Sequence, residues 1–282
     1  MSEQIAYLGP KGTYCSQAVE KYLRRQGRKI EAVPLNTISE VIHSVNTGKY
    51  KYGIVPMENT IEGSVSATLD KLANKRNFVF IIDEIDISVK HQLLALPRAR
   101  LAEIREIISH TQALEQCRDF LFARLPGAKI LLAKSTAQAV LNVKEKKQPC
   151  RAAIGSREAA RKYGLKILVR DIADYKDNVT RFVVLSKEKK MLRDKDAITA
   201  FVFSCKKDRP GGLYEILGFL AKAKINMTRI ESRPSKVVMG DYVFFIDIAG
   251  NHYVQAKTAQ ALASIEKHSD YFKLLGVYQR KK

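Results

Sequence analysis

Residues 5–26 read IAYLGPKGTYCSQAVEKYLRRQ, and the three parts of this stretch set the architecture. Ile5 to Leu8 is a short apolar run of strand type, Gly9-Pro10-Lys11-Gly12 is a turn, and Tyr14 to Gln26 has the apolar spacing of an amphipathic helix. The unit recurs. Ile30 to Val33 leads to a helix near Ser39 to Asn46, and Tyr52 to Val55 leads through a loop to a helix near Val65 to Ala73. Phe78 to Val89 reads as longer strand material. Glu106 to Ser109 precedes a helix over Gln112 to Leu125, Lys129 to Leu132 precedes Thr136 to Val143, and Ala152 to Ile154 precedes Arg157 to Tyr163. Arg181 to Leu185 reads as the last strand. Alternation of strands and helices at these lengths predicts α/β layers with largely parallel sheets.

The charged segment SKEKKMLRDKD, near Ser186 to Asp196, has no apolar periodicity and reads as a linker. Beyond it the pattern gives strand (Ile198 to Cys205), helix (Gly212 to Ala223), strand (Ile225 to Arg233), strand (Asp241 to Ile248), helix (Tyr253 to Lys267) and strand (Phe272 to Val277). That βαββαβ order is the ferredoxin-like layout. So small a unit reads as an appended regulatory or assembly module.

The chain has 282 residues, enough for two domains, and its 46% hydrophobic and 28% charged residues are those of a globular protein. Lys plus Arg number 49 against 29 Asp plus Glu, a net charge of +20 that attracts anions without naming one. No RNA- or DNA-binding motif accompanies the charge, so a nucleic-acid partner is not expected. The opening MSEQIAYLGP lacks a secretory pattern and no apolar run is long enough to span a membrane, so a cytoplasmic protein with no membrane partner is expected. Cys15, Cys117, Cys150 and Cys205 are scattered, and the five histidines show no ligand spacing, so reduced thiols and no metal are expected. Neither a phosphate loop, a dinucleotide fingerprint nor a nucleophile elbow occurs, which disfavours kinase, dehydrogenase and classical hydrolase chemistry.

Four strand-to-helix junctions carry small polar residues: Gly12-Thr13, Gly63-Ser64, Ser135-Thr136 and Gly155-Ser156. Each is read as an N-cap, and converging helix N-termini at the carboxyl ends of strands form an anion-binding cleft. The loop Gly53 to Ser64 places polar side chains immediately after a buried strand, where function concentrates. Asn178-Val179-Thr180-Arg181-Phe182 does the same before the last strand. Thr180 offers a donor, Arg181 a carboxylate fork and Phe182 an apolar wall. Gln112 and Gln116 share one helical face.

At these residues the sequence resembles the prephenate dehydratase family over nearly its whole length. YLGPKGTYCSQA (Tyr7 to Ala18), GIVPMENTIEGSV (Gly53 to Val65), SHTQALEQC (Ser109 to Cys117) and NVTRFVVL (Asn178 to Leu185) are similar to the family's four conserved segments. The last holds the T-R-F signature with the family's essential threonine. DRPGGLYEIL and INMTRIESRPSK are similar to the glycine-loop and E-S-R-P motifs of the phenylalanine-sensing ACT domain. Departures are Cys15 and Thr60 in place of serine, Thr111 in place of proline, and Gly212 in place of alanine.

The resemblance implies an α/β protein with a two-lobed, periplasmic-binding-protein-like catalytic domain over residues 1–187 and a ferredoxin-like ACT domain over 197–278. The lobes would comprise about 1–83 with 172–187, and 84–171. It implies decarboxylative dehydration of prephenate to phenylpyruvate without cofactor or metal, and inhibition by L-phenylalanine. Thr180 is the implied catalytic residue. Thr13, Asn59, Thr60, Ser64, Ser109, Gln116, Arg181 and Phe182 are the implied substrate contacts. Glu58 is expected to order its loop, and His110 to orient a helix start. Gly211, Gly212, Leu213, Asn226, Glu231, Ser232, Arg233 and Pro234 are the implied effector contacts, in a homodimer or homotetramer assembled through ACT domains. With no chorismate-mutase-like helical segment before the first strand, the chain is read as monofunctional. Arogenate dehydratase, which differs in its substrate by an amino group, and a non-catalytic small-anion binding protein are the alternative readings.

Overall fold

A computed structural model describes residues 3–27, 30–206, 210–235 and 241–279. The opening unit forms as its sequence predicts: β1 (Gln4–Leu8) runs through the glycine turn into α1 (Tyr14–Gln26). Thr13 caps α1 by accepting from the Ser16 N–H at 3.3 Å. Gly27, left-handed at φ 63°, ends the helix with its N–H on the Leu23 carbonyl, a conformation that costs glycine little. Then follow β2 (Glu31–Leu35), α2 (Ile38–Asn46), β3 (Tyr52–Asn59), β4 (Gly63–Ser64), α3 (Ser66–Ala73) and β5 (Phe80–Ser88).

The chain next builds a second lobe from β6 (Gln92–Ala95), β7 (Glu106–Ser109), α4 (Thr111–Glu115), α5 (Arg118–Arg124), β8 (Lys129–Leu132), α6 (Thr136–Lys146), β9 (Arg151–Gly155), α7 (Arg157–Tyr163) and β10 (Lys166–Val169). It returns to the first lobe as β11 (Val179–Ser186). The first crossing therefore falls at 89–91, after the expected 84, and the second at 170–178, which spans the expected 171. Asn178 ties the two crossing strands, since its carbonyl accepts from the Val89 N–H at 2.8 Å.

Both sheets are mixed, where largely parallel sheets were expected. In the first lobe β1 pairs in parallel with β2 and β3, but the returning β11 is antiparallel to β3 and β5. In the second, β7 is parallel to β8 and β9, while β6 and β10 add antiparallel pairs. A strand that comes back from the other lobe enters its sheet from the opposite end, so it runs against its neighbours. β6 and β10 were not anticipated, and the single helix expected over Gln112 to Leu125 breaks at Gln116 and Cys117 into α4 and α5.

The last unit is β12 (Ala197–Cys205), α8 (Gly212–Lys222), β13 (Met227–Pro234), β14 (Tyr242–Ala249), α9 (Ala256–His268) and β15 (Ser269–Gln279), in sheet order β13-β14-β12-β15. Its α8 and α9 cover Phe201, Phe203, Ile246 and Ile248. The opposite sheet face packs Val202, Phe245, Leu275 and Tyr278 into one cluster with Val41 and Val45 of α2 and Leu69 and Leu72 of α3. Each such buried side chain contributes about 1.5 to 3 kcal/mol, so the unit is fused to the first lobe by a common core. The sheets themselves join: β15 lies parallel to β5 with Gly276 opposite Ile81. A Cβ at Gly276 would stand 2.1 Å from the Ile81 carbonyl oxygen, so only glycine permits that approach. Among the described residues no helix is long and apolar enough to cross a membrane.

Candidate active site

β3 and β11 pair with Asn59 opposite Thr180. The Asn59 amide donates to the Thr180 hydroxyl at 2.9 Å and to the Asn178 side-chain carbonyl at 2.6 Å. Its orientation is fixed by the chain that follows, because Asn59 Oδ1 accepts the backbone N–H groups of Ile61 and Glu62, each at 3.0 Å. With two backbone donors on its oxygen, the amide nitrogen has to face Thr180 and Asn178. The Thr180 oxygen thus has a donor beside it, and among the described residues no acceptor takes its hydrogen.

The cluster extends into the second lobe. Asn178, fully buried, donates to Gln116 Oε1 at 2.8 Å. His91 Nε2 lies 3.0 Å from that same oxygen, and Gln116 Nε2 donates to Glu62 Oε1 at 3.1 Å. Gln116 Oε1 has two neighbours and only accepts, so His91 carries its proton on Nε2. Burial pushes the imidazole below its ordinary value, although the Gln116 contact opposes this, and the ring is neutral near pH 7. The Tyr14 hydroxyl, at the start of α1, donates to the Lys90 carbonyl at 2.9 Å and its ring meets His91 edge-on. Thr60 staples the loop: its hydroxyl donates to the Asp177 carbonyl and accepts the Val179 N–H, both at 3.0 Å.

Of the substrate contacts expected from sequence, the structure brings Asn59, Thr60 and Gln116 together with Thr180 and sends others elsewhere. Thr13 stands at the α1 N-terminus, its hydroxyl donating to the Pro10 carbonyl at 3.0 Å. Ser109 is wholly buried in the second lobe and donates to the Ile154 carbonyl at 2.8 Å. Phe182 is 1% exposed, packed with Ile5, Tyr7 and Val184 under α1, so it is core and not an open wall. Arg181 and Ser64 face the second domain: Arg181 meets Glu84 and Asp247 at 3.0 Å, and Ser64 accepts from Arg229 at 2.8 Å. Strand alternation accounts for Arg181, since neighbours on β11 point to opposite faces.

Three of the four expected caps form, on Thr13, Ser135 and Ser156. The fourth does not: Gly63-Ser64 is the short β4, and α3 starts at Val65 without a side-chain cap. His110 occupies the N-cap position of α4 without a side-chain bond. Asn178 and Glu62 lie in the polar segments that the sequence marks but have no contact expected of them there, and His91 lies outside those segments. Isolated polar residues in crossing segments carry no spacing signal, although burial of a side-chain amide in a hinge is itself a mark of a built network.

The lobes touch across the cleft. The Lys162 ammonium and the Tyr163 hydroxyl of α7 donate to the Lys11 carbonyl at 2.8 and 3.3 Å, closing the glycine turn against the second lobe. A cavity of about 300 Å³ is lined by Tyr14 and by the charged side chains of Lys90, Arg157, Glu158, Arg170 and Asp171 among others. That volume is at the lower end for small-molecule sites, and Tyr14 is common to the cavity and the hydrogen-bonded cluster. Cys15 and Cys117 offer no nucleophile: burial pushes the Cys15 thiol up to about 12 and the Cys117 thiol still higher. Among the described residues no group of three or more His, Cys, Asp or Glu side chains is placed to hold a metal ion.

On the ferredoxin-like unit, Gly211 is left-handed at φ 82° as the N-cap of α8, Gly212 is buried and Leu213 packs partly into the core. Asn226 is exposed, and Glu231 to Pro234 lie on β13, the outer strand of the sheet, with Ser232 and Pro234 exposed. Arg233 pairs with Asp70 of α3 at 3.3 Å. Asp208 and Arg209 of the DRPGG segment and Lys236 after Ser235 lie outside the described residues.

Comparison with known proteins bears on this geometry as a whole. The family model for prephenate dehydratase matches residues 5–190, and the model for the ACT domain matches residues 199–266. A prephenate dehydratase of Methanocaldococcus jannaschii is 39% identical over 279 residues, 99% of this chain and 98% of that protein. The crystal structure of a prephenate dehydratase from Arthrobacter aurescens in complex with L-Phe superposes with a TM-score of 0.89 at 33% identity, covering 98% of this chain and 90% of that one. A structure described as a quorum-quenching acylase superposes with a TM-score of 0.85 at 30% identity, covering 99% of this chain and 98% of that one.

Proposed function

The chain belongs to the prephenate dehydratase family, and from that premise we propose that Thr180 and Asn59 are the working pair of an enzyme that converts prephenate to phenylpyruvate, water and carbon dioxide. The observation that carries the reading is the one-sided hydrogen bonding of Thr180. Its oxygen accepts from Asn59, so its hydrogen is free to point into the cleft. Prephenate loses its ring carboxylate as carbon dioxide; the electron pair of that bond enters the ring and the carbon–oxygen bond opposite breaks. The departing hydroxide takes one proton from solvent and leaves as water, so that prephenate dianion plus a proton gives phenylpyruvate anion, carbon dioxide and water. Thr180 donates a hydrogen bond to that oxygen as negative charge develops on it, and the Asn59 amide strengthens the donor by drawing on the threonine oxygen. The aromatic ring that forms supplies the driving force, so the protein's work is to hold and orient a dianion.

Arg157, Arg170 and Lys90, around the cavity next to Tyr14, are the cations proposed to receive its carboxylates, a role that Arg181 does not fill from the opposite face of β11. Gln116, Asn178 and neutral His91 hold the wall between the lobes without adding a charge beside the dianion. An acylase reading would need an activated nucleophile. Cys15 and Cys117 are buried and held protonated, and no basic side chain hydrogen-bonds to Thr180 among the described residues, so dehydration is favoured. Assay of purified protein for phenylpyruvate release, with arogenate as competing substrate and an acyl amide as control, tests the reading. Phenylpyruvate from prephenate supports it, and faster turnover of either other substrate overturns it.

The second domain is proposed to bind L-phenylalanine through Gly211 to Leu213, Asn226 and Glu231 to Pro234, between two copies of the chain in a homodimer or homotetramer. The exposed outer strand β13 supports this, since an unpaired edge invites a partner. The catalytic region is proposed to span residues 1–187 and the regulatory one 197–278, in a cytoplasmic protein. Light scattering with and without phenylalanine tests the assembly, and a monomer under both conditions counts against it.

A further inference from the structure

Thr180 and Asn59, the proposed working pair, are each followed or preceded by a residue that reaches the ACT domain. Arg181, after Thr180, has Nη2 at 3.0 Å from Asp247 Oδ2 and also donates to the Tyr278 hydroxyl. Asp247 and Tyr278 belong to β14 and β15 of the ACT domain. On the catalytic side the guanidinium lies 3.0 Å from Glu84 and 3.7 Å from Glu58, the residue before Asn59. Glu58 in turn pairs at 3.2 Å with Arg229 of β13, the strand that carries the proposed effector contacts. Two arginines, one from each domain, thus share one carboxylate directly behind the Asn59–Thr180 hydrogen bond. The Arg181, Glu84 and Asp247 side chains are 19%, 7% and 4% exposed, whereas the shared Glu58 is 38% exposed at the edge of the network. Burial works against the Arg181 charge, but Tyr278, Asp247 and Glu84 outweigh it and keep the guanidinium protonated.

The backbone at this point is irregular. The pairing of β11 with β3 shifts register between Arg181 and Phe182. Bulges of this kind re-aim neighbouring side chains, so the direction of Thr180 depends on how the irregular segment is held.

We propose that Arg181 is a positioning residue, clamped by Asp247 and Tyr278 of the ACT domain, and that this clamp sets the direction of the Thr180 hydroxyl. The inference rests on the dehydratase reading for its kinetic consequence. A shift of β13 or β14 reaches the working pair through two ion pairs, and its effect falls on the chemical step, because no substrate group touches Arg181.

The test compares Asp247→Asn with Lys273→Met in the full chain. Lys273 crosses the same boundary, donating to the carbonyls of Leu72, Asn74 and Asn77, with no bond to Arg181 or Glu58. Asp247→Asn is expected to lower kcat about tenfold or more with KM within about twofold, and Asp247→Glu to recover most of the loss. Lys273→Met is expected to leave kcat, per folded molecule, unchanged. The methyl resonance of Thr180, assigned by its loss in Thr180→Ser, is expected to shift in Asp247→Asn and to stay in Lys273→Met. Tyr278→Phe, which removes one hydroxyl, replaces Asp247→Asn where that variant does not fold. Unchanged kcat in the clamp variant, equal loss in both variants, or an unmoved Thr180 methyl overturns the proposal. Should wild type fail to turn over prephenate, the dehydratase reading falls and the methyl shift alone decides whether the clamp positions Thr180.

Discussion

Asn59 and Thr180 face each other on β3 and β11, with the amide of one on the hydroxyl of the other at 2.9 Å. Asn59 holds this pose because its oxygen is taken by the N–H groups of Ile61 and Glu62. Asn59→Ala removes both functions and is expected to lower turnover by about 10² to 10³, the usual cost of losing one oriented donor, and stability by about 1 to 3 kcal/mol. Asn59→Asp keeps the turn but sets a carboxylate oxygen against the Asn178 side-chain carbonyl that the amide now meets at 2.6 Å, so it should lose stability too and retain as little activity as the alanine variant. Denaturant titration and steady-state kinetics check both. An active aspartate variant would contradict the proposed direction of the hydrogen bond.

His91 gives a pH dependence of known sign. Burial holds its folded value below the ordinary 6.5. On acidification the unfolded chain takes the proton first, so stability is complete above about pH 6.5 and falls as pH drops below it toward the folded value. Urea midpoints of wild type and His91→Gln, measured from pH 7.5 to 5, should converge as the pH falls if the variant starts lower. Parallel curves would show that His91 does not titrate differently on folding.

Gly276 is expected to tolerate no side chain. A Cβ there would lie 2.1 Å from the Ile81 carbonyl oxygen, and the strand junction between the two domains would have to part. Gly276→Ala should cost about 1 to 3 kcal/mol, the range for overpacking a tight contact, and weaken inhibition by phenylalanine more than it weakens turnover. Thermal melts and inhibition curves check this; a variant with unchanged melting temperature would contradict the close approach.

Phe182 separates core from cleft. At 1% exposure among Ile5, Tyr7 and Val184, its truncation to leucine should lower stability by roughly 1 to 2 kcal/mol and leave KM unchanged. A raised KM at unchanged stability would return Phe182 to the role of an apolar wall against the substrate.

Much of this was legible from residue order. Ile5 to Gln26 gave the strand, turn and helix as they stand, because a capping threonine and a terminal glycine bracket a clean apolar stripe. β6 and β10 were not, since QLLA and KILV hold only three consecutive apolar residues each, a run that a strand and a buried helix turn share. Thr180, Asn59, Thr60 and Gln116 stand in motif segments, and the fold brings those segments together. Arg181 was assigned to the cleft because sequence places it beside Thr180, whereas the pleat separates adjacent side chains by the thickness of the sheet. Ser64 was read as a cap because it precedes a helix, yet the loop first turns back to pair with β3. His91 stands in no motif, and Asn178 stands in one without an assigned contact, because a buried network is a property of the crossing strands, which exist only once both lobes have folded.

One measurement addresses the Thr180 hydroxyl most directly: phenylpyruvate formation from prephenate by wild type and Thr180→Ala, with phenylalanine binding followed calorimetrically in parallel. The role proposed for Thr180 requires turnover by wild type, loss of about 10² to 10⁴-fold in the variant, and equal phenylalanine affinity in both. Turnover in Thr180→Ala within a few-fold of wild type, with the variant folded, would contradict it.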